Sequence, residues 1–100
     1  MRAEKRNNRA MSIEVRIPTI LRPVTREQKI VAATGSMLGD VISNLESQYP
    51  GIEGRLLENG VLRRFINIYI NDEDVRFIGG LEAPTKSGDS ITIIPAVAGG

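Results

Sequence analysis

Only one stretch of this 100-residue chain repeats its apolar side chains at helical spacing, and that scarcity restricts the possible folds. The apolar residues of this stretch recur at intervals of three and four, which places one stripe on a helix: Leu38, Val41, Ile42, Leu45 and Tyr49. Thr34 and Ser36 offer hydroxyls that we expect to cap its start. Pro50 ends it, because proline lacks an amide proton and disfavours helical geometry at the preceding residue.

The remaining apolar pattern predicts strands. Residues 11–17 alternate, with Ile13, Val15 and Ile17 on one side, which is typical of a strand with one buried face. Residues 29–32 form a β-branched segment close enough to return as its hairpin partner. Later strands are predicted over 64–70, 75–77 and 90–94, and the stretch 52–58 is predicted as a loose helical turn before the turn dipeptide Asn59-Gly60.

The order of these segments predicts an α+β roll, in which one main helix covers a mixed sheet of four to five strands. No internal repeat or linker interrupts the pattern, so residues 11–100 are interpreted as one domain. Residues 1–10 carry four basic side chains against one acidic one. We interpret them as a disordered basic extension or as an upstream start or tag remnant, in preference to a phosphate-binding arm, and exclude them from the fold.

The chain contains no cysteine and no histidine, which excludes disulfides, thiol nucleophiles, iron–sulfur clusters and the usual zinc sites. An intrinsic enzyme would have to use carboxylates, lysine or hydroxyls, so we expect neither a bound cofactor nor a bound metal. The acidic run 72–74 is read as a solvated turn rather than a cation site. The pair Arg63-Arg64 is read as a solvated strand end, rather than a contact for a phosphate or an acidic partner.

No apolar run is long enough to span a bilayer, and residues 1–10 lack the apolar core of a secretory signal. We therefore expect a cytoplasmic protein without a membrane partner. The absence of aromatic residues among the basic ones of the extension gives no reason to expect a nucleic-acid partner either.

The end of the chain is the one feature that such a fold does not require. Residues 95–100 carry no charged side chain and finish on Gly99-Gly100, and they reach about 20 Å when extended. Because glycine lacks a Cβ, such a flexible end can pass a constriction and present its carboxylate to another enzyme. The alternative is an ordinary frayed terminus, in which small residues commonly collect.

The segments 88–100 (GDSITIIPAVAGG) and 65–77 (FINIYINDEDVRF), with the strand–strand–helix opening from Ser12, resemble the ubiquitin-like sulfur-carrier family represented by MoaD, ThiS and CysO. The resemblance covers essentially all of residues 11–100 and is strongest to the CysO branch, which serves a cysteine synthase. Ala96 and Ala98 depart from the molybdopterin branch, which usually has proline and a hydroxyl residue there. Ubiquitin itself has arginines before its paired glycines, whereas this chain has small apolar residues there, which makes a role as a ubiquitin-type protein tag less favoured.

The resemblance implies a β-grasp fold and a non-catalytic protein that other enzymes modify at its end. An E1-like activating enzyme would use ATP and magnesium to adenylate the Gly100 carboxylate, which a sulfur donor would convert to a thiocarboxylate. The sulfur would then pass to a pyridoxal-phosphate cysteine synthase, and a zinc peptidase would restore the glycine end. Thiazole, molybdopterin and thiosugar synthases stay open as alternative acceptors, and a ubiquitin-like protein modifier stays open as an alternative function.

The same resemblance implies a surface that docks the activating enzyme while the tail threads into it. We expect that surface on the uncovered face of the sheet, and we expect the tail residues to contact partners with it. These partner-binding candidates are Phe65, Tyr69, Ile94, Pro95, Ala96, Val97, Ala98 and Gly99.

Overall fold

The computed structural model describes residues 12–95 of the chain. The predicted basic extension over 1–10 and the predicted flexible tail beyond Pro95 lie outside these residues. Within them the chain forms seven strands and two α-helices: β1 Ile13–Arg16, β2 Ile30–Ala33, α1 Leu38–Gln48, α2 Ile52–Leu56, β3 Leu57–Glu58, β4 Val61–Leu62, β5 Ile66–Ile70, β6 Glu73–Asp74 and β7 Ser90–Pro95.

Five of the strands form one mixed sheet in the order β2-β1-β7-β5-β6. The strand β1 runs antiparallel to β2 and parallel to β7, and β7 runs antiparallel to β5. The strands β3 and β4 form a separate hairpin around Asn59 and Gly60, which both have positive φ, as a two-residue hairpin turn requires. This arrangement is a β-grasp fold, and the predicted α+β class with one main helix is confirmed.

The core lies between α1 and one face of the sheet. The helix buries four of its predicted apolar residues: Leu38, Val41, Ile42 and Leu45. The sheet contributes its alternate residues, so that Ile13 and Val15 of β1 and Ile91 and Ile93 of β7 are buried while their neighbours are not. Full burial of such a side chain stabilises the fold by about 1.5–3 kcal/mol, which explains why the alternation in the sequence locates these strands correctly.

The start of α1 differs from the prediction. Neither Thr34 nor Ser36 caps it, because Met37 occupies the N-cap position and makes no side-chain hydrogen bond there. The first amide, that of Leu38, donates instead to the carbonyl of Ala83 at 2.9 Å. The Ser36 hydroxyl lies 3.1 Å from Asp40 Oδ2. The predicted hydroxyl cap is therefore wrong, since a backbone carbonyl distant in sequence satisfies the helix end.

The predicted short strand over 75–77 is also wrong. Val75–Phe77 is a turn of 3₁₀-helix, and the Asp74 side chain caps it by accepting a hydrogen bond from the Arg76 amide at 2.9 Å. The strand lies just before it, as β6, which pairs with only the last two residues of β5. An aspartate before a three-residue turn competes effectively with strand pairing because its side chain bonds the local backbone.

The second helix, α2, also depends on a side chain from outside its own turn. The Glu46 carboxylate accepts hydrogen bonds from the amides of Glu53 at 2.9 Å and Gly51 at 3.0 Å. These bonds, first that from Glu53 and then that from Gly51, lower the pKa of Glu46 below its usual value.

Neither α1, with 11 residues, nor α2, with five, is long and apolar enough to cross a bilayer, and no other helix within 12–95 is either.

Candidate functional site

The strand β7 carries the chain end out of the centre of the sheet. It hydrogen-bonds to β1 on one side and to β5 on the other, and its last residue, Pro95, lies opposite Ile66. The predicted working residues Ala96, Val97, Ala98, Gly99 and Gly100 follow directly and lie outside the described residues. What the structure does describe is the surface around Pro95, the residue that precedes them.

That surface carries the sheet-face residues predicted from the sequence. Ile94 pairs with Asn67, and Tyr69 pairs with Thr92. Paired residues of antiparallel strands point to the same face, and these alternate with the buried isoleucines, so Ile94 and Tyr69 share the face that α1 leaves uncovered. Ile94 is 45% exposed and Tyr69 is partly buried.

Phe65 was predicted to lie within β5, but it lies in the turn just before it. The strand β5 begins one residue later, because the Ile66 amide donates to the carbonyl of Arg63 at 3.1 Å and closes a turn there. Phe65 is consequently 54% exposed, and the guanidinium of Arg64 lies over its ring, 5.7 Å from the ring centre. Phe65 precedes Ile66, which pairs with Pro95, and Ile94 precedes Pro95 itself, so both exposed apolar residues adjoin the last described residue of β7; we call them the exit patch.

The role of Arg76 beside this patch was not indicated by any local sequence pattern. Its guanidinium donates to the Ile66 carbonyl and to Asn67 Oδ1, both at 2.7 Å. The edge of β5 would otherwise be open here, because β6 reaches only Tyr69 and Ile70. Arg76 therefore occupies the unpaired edge that could join another strand, and its contacts span ten positions, which no local pattern reveals.

The opposite end of β7 is held by a buried carboxylate. Asp89 accepts hydrogen bonds from the Asn71 amide group and the Lys86 backbone amide, both at 2.9 Å, and the Lys86 ammonium lies 3.4 Å away. Burial alone would raise the pKa of Asp89, but the bonds from Asn71 and Lys86 and the charge of Lys86 outweigh it and lower that pKa. These contacts fix the loop that enters β7.

Two other polar features of the described surface are a depression and the acidic run. A depression of about 460 Å³ beside the start of β7 is lined by polar side chains: Arg16, Asn71, Asp72, Ser90 and Thr92. The acidic run 72–74 does not converge, because Glu73 and Asp74 are successive strand residues and Asp74 is bonded to Arg76. Within residues 12–95, no group of three or more acidic side chains is placed to hold a metal ion.

The model of the ThiS family matches residues 15–100 of this chain. The sulfur carrier protein CysO of Mycobacterium tuberculosis is 59% identical over 93 residues, which cover 90% of this chain and all of the relative. Small archaeal modifier protein 3 of Haloferax volcanii is 32% identical over 92 residues, again covering 90% of this chain and all of the relative.

A solved structure extends this similarity to the fold. The carrier in the crystal structure of the Amycolatopsis orientalis BexX/CysO complex superposes with a TM-score of 0.85 at 55% identity, covering 88% of this chain and 99% of the other. The matched residues of the family model run through Gly99 and Gly100, so the similarity includes the segment that the sequence marks as the working end.

Proposed function

This chain belongs to the ThiS family, and on that premise we propose that it is a sulfur carrier protein whose working group is the carboxylate of Gly100. The observation that carries the proposal is that the family match extends over residues 15–100 and so includes the terminal glycine pair. The described body supports it, because Pro95, which precedes the last five residues, belongs to the central strand of the sheet and lies beside the exposed exit patch.

The chemistry requires activation, because a carboxylate is a poor electrophile. In the proposed first step a carboxylate oxygen of Gly100 attacks the α-phosphorus of ATP on an E1-like enzyme, and pyrophosphate leaves. A sulfur donor then attacks the acyl carbon, and AMP leaves with the bonding electron pair. The product is a thiocarboxylate, an anionic sulfur nucleophile that needs no cysteine on this chain.

The carrier itself performs none of these steps. ATP and magnesium belong to the activating enzyme, and this chain is proposed to bind no cofactor. Its contribution is a stable support for the tail, with Gly100 as the reacting group. The residues before it would occupy the partner's channel: Ala96, Val97, Ala98 and Gly99. Glycines at the tip allow a channel too narrow for side chains. We propose the cytoplasm as the site of this cycle.

The similarity to CysO favours cysteine biosynthesis as the destination of the sulfur. We propose that a pyridoxal-phosphate cysteine synthase accepts it and that a zinc peptidase regenerates the glycine end; molybdopterin, thiazole or thiosugar synthases are the alternative acceptors. The solved complex of a CysO with BexX supports the coarser point that such a carrier docks on a second protein.

A second candidate function is conjugation to lysines as a ubiquitin-like modifier. The 32% identity to small archaeal modifier protein 3 favours it, since that relative is named for such a role. The two functions diverge after adenylation, because a lysine amine rather than sulfide would displace AMP. Mass spectrometry of cellular proteins separates them: isopeptide-linked Gly100 remnants indicate a modifier.

The decisive experiment measures the intact mass of the carrier after incubation with the activating enzyme, ATP and sulfide. Replacement of one oxygen by sulfur raises the mass by about 16 Da. A variant with one alanine added after Gly100 is the control, because its body is unchanged while its reacting carboxylate is displaced. Gain of the same mass by both proteins, or by neither, contradicts the proposal.

A further inference from the structure

Arg64 stands at the exit patch with its charge unmatched. Its guanidinium lies over the Phe65 ring at 5.7 Å, and no carboxylate of residues 12–95 lies within 4 Å of it. The neighbouring Arg63 differs, since it is bonded to the Gly54 carbonyl at 3.0 Å and paired with Glu58 at 3.4 Å. Of the two arginines that precede β5, only Arg64 therefore has its guanidinium edge free for an outside group.

The contrast holds across the uncovered face of the sheet. Arg16 is paired with Glu14 at 3.3 Å, and Arg76 is committed to the edge of β5 and lies 3.9 Å from Asp74. At the exit patch the Arg64 guanidinium instead lies over the exposed ring of Phe65. A partner covering Phe65 and Ile94 would strip water from Arg64, which is unfavourable unless the partner supplies an anion.

We propose that Arg64 is a charged rim contact of the docking surface and that the activating enzyme presents an acidic side chain to it. This inference rests on the proposed function and specifies the chemistry of the partner. Stacking on Phe65 holds the guanidinium over one surface, so less side-chain entropy is lost when its edge pairs with a carboxylate. The fitting partner surface is an apolar patch with an aspartate or glutamate at its border.

A phosphate of the adenylate is a less suitable partner for Arg64. Pro95 lies opposite Ile66, two residues after Arg64, whereas Gly100 is five residues further along the chain. A tail extended into a partner spans about 16 Å over those five residues. The reacting phosphate therefore lies at the far end of the tail while Arg64 remains at its base.

The test compares Arg64→Glu with Arg26→Glu in the activation assay with full-length carrier. Arg26 is a matched control because it also stacks on an aromatic ring, that of Tyr49 at 5.1 Å, but lies against the end of α1, where it donates to Gln48. At low salt, Arg64→Glu should raise KM for the carrier about tenfold and leave kcat unchanged, since rim charges act on encounter. Arg26→Glu should behave as the wild type, and Arg64→Lys should fall between.

Salt provides the second readout. The difference between Arg64→Glu and wild type should shrink at about 1 M salt, where charges more than a few ångströms apart are screened. Equal behaviour of the two glutamate variants at low salt overturns the proposal. So does a fall in kcat at constant KM, which would indicate a contact to the reacting phosphate, and so does a gain in activity, which would indicate that Arg64 holds the chain's own carboxylate.

The result is separable from failure of the proposed function. If the wild type gains no mass of about 16 Da, the sulfur-carrier function itself fails. If the wild type and Arg64→Glu both reach that mass at saturating carrier with equal KM, the function stands and only the Arg64 contact fails. Thermal unfolding of each variant measures the folded fraction, which we expect to equal that of the wild type because the substituted side chains are exposed.

Discussion

The two ends of β7 are built for opposite purposes. At its start, Asp89 is buried and accepts hydrogen bonds from both Asn71 and Lys86. At its finish, Ile94 is nearly half exposed, and the patch that it forms with Phe65 is covered by nothing in residues 12–95. The six residues of β7 thus connect a buried carboxylate whose hydrogen bonds are satisfied to an apolar surface that nothing in residues 12–95 covers.

This difference shows that the groups that stabilise the carrier and the groups available to partners lie at opposite ends of one strand. Buried polar groups that are fully bonded hold one geometry, because leaving any of them unpaired is costly. Exposed apolar groups contribute little to folding and become valuable only when another protein covers them. Changes at the start of β7 should therefore affect folding, and changes at its end should affect partners.

Removal of Gly99 and Gly100 should produce the largest effect. The change lies outside the described residues 12–95, which hold the core, so we expect the unfolding temperature to stay within about 2–4 °C of the wild type. The reacting carboxylate would stop short of the partner's reagents, and misplacement by even one ångström can cost a hundredfold in rate. We expect thiocarboxylate formation to fall at least about a hundredfold in the mass assay. Normal activation of the shortened chain would refute the assignment of the working end.

Ile94→Asp should raise KM for activation about tenfold to a hundredfold, because it places a charge where an apolar partner surface docks. Thr92→Asp is the control: it lies on the same strand and face, beside Arg16 and opposite Tyr69, and so separates the exit patch from the rest of that face. Its KM should change less than threefold, about 0.6 kcal/mol. Unfolding of both variants is followed by circular dichroism, and equal KM values would remove the exit patch from the docking surface.

Asp89→Ala should show the reverse behaviour. It leaves the Asn71 side chain and the Lys86 amide without their acceptor, at a cost of about 2–3 kcal/mol in the free energy of unfolding. Glu73→Ala, an exposed change of the same charge, should cost about 0.5 kcal/mol or less. Denaturant titration measures both, and KM for activation should be unchanged where the proteins are folded. A large rise in KM would mean that the two ends are coupled.

Acid should weaken the same anchor. The pKa of Asp89 is lowered by folding, so the folded state gains stability from its charge above the unfolded pKa, near 3.8, and loses that gain as pH falls through the lower folded pKa. The stability difference between wild type and Asp89→Asn should be constant from pH 7 to about 5 and should shrink below about 4. Glu46 is common to both proteins, so its own lowered pKa cancels in the comparison. A difference that grows on acidification would have the wrong sign.

The sequence predicted the elements whose signal is local and periodic. The helix α1 and the strands β1, β2, β5 and β7 were found because each alternates or repeats its apolar residues toward one core. The ends were less accurate: β2 begins and ends one residue later than predicted, β7 extends one residue further, and β5 begins two residues later. Hydrogen bonds from neighbouring turns fix such ends, and hydrophobic patterns do not report them.

Contacts between distant positions were not predictable. The Ala83 carbonyl that caps α1, the guanidinium of Arg76 on the edge of β5 and the group around Asp89 join residues that only the folded topology brings together. The sheet-face residues were predictable because alternation assigns each to a face. Their roles, and those of residues 96–100, stay predictions that the experiments above address.

The central position of β7 has a mechanical consequence. The tail is attached to the middle strand, which is zipped to β1 on one flank and to β5 on the other. A force along the tail is therefore resisted by two hydrogen-bond ladders in shear at once, whereas a strand at the edge of the sheet is held by only one ladder. An enzyme that binds the tip and pulls the tail inward would therefore have to break both ladders together before β7 detached from the carrier.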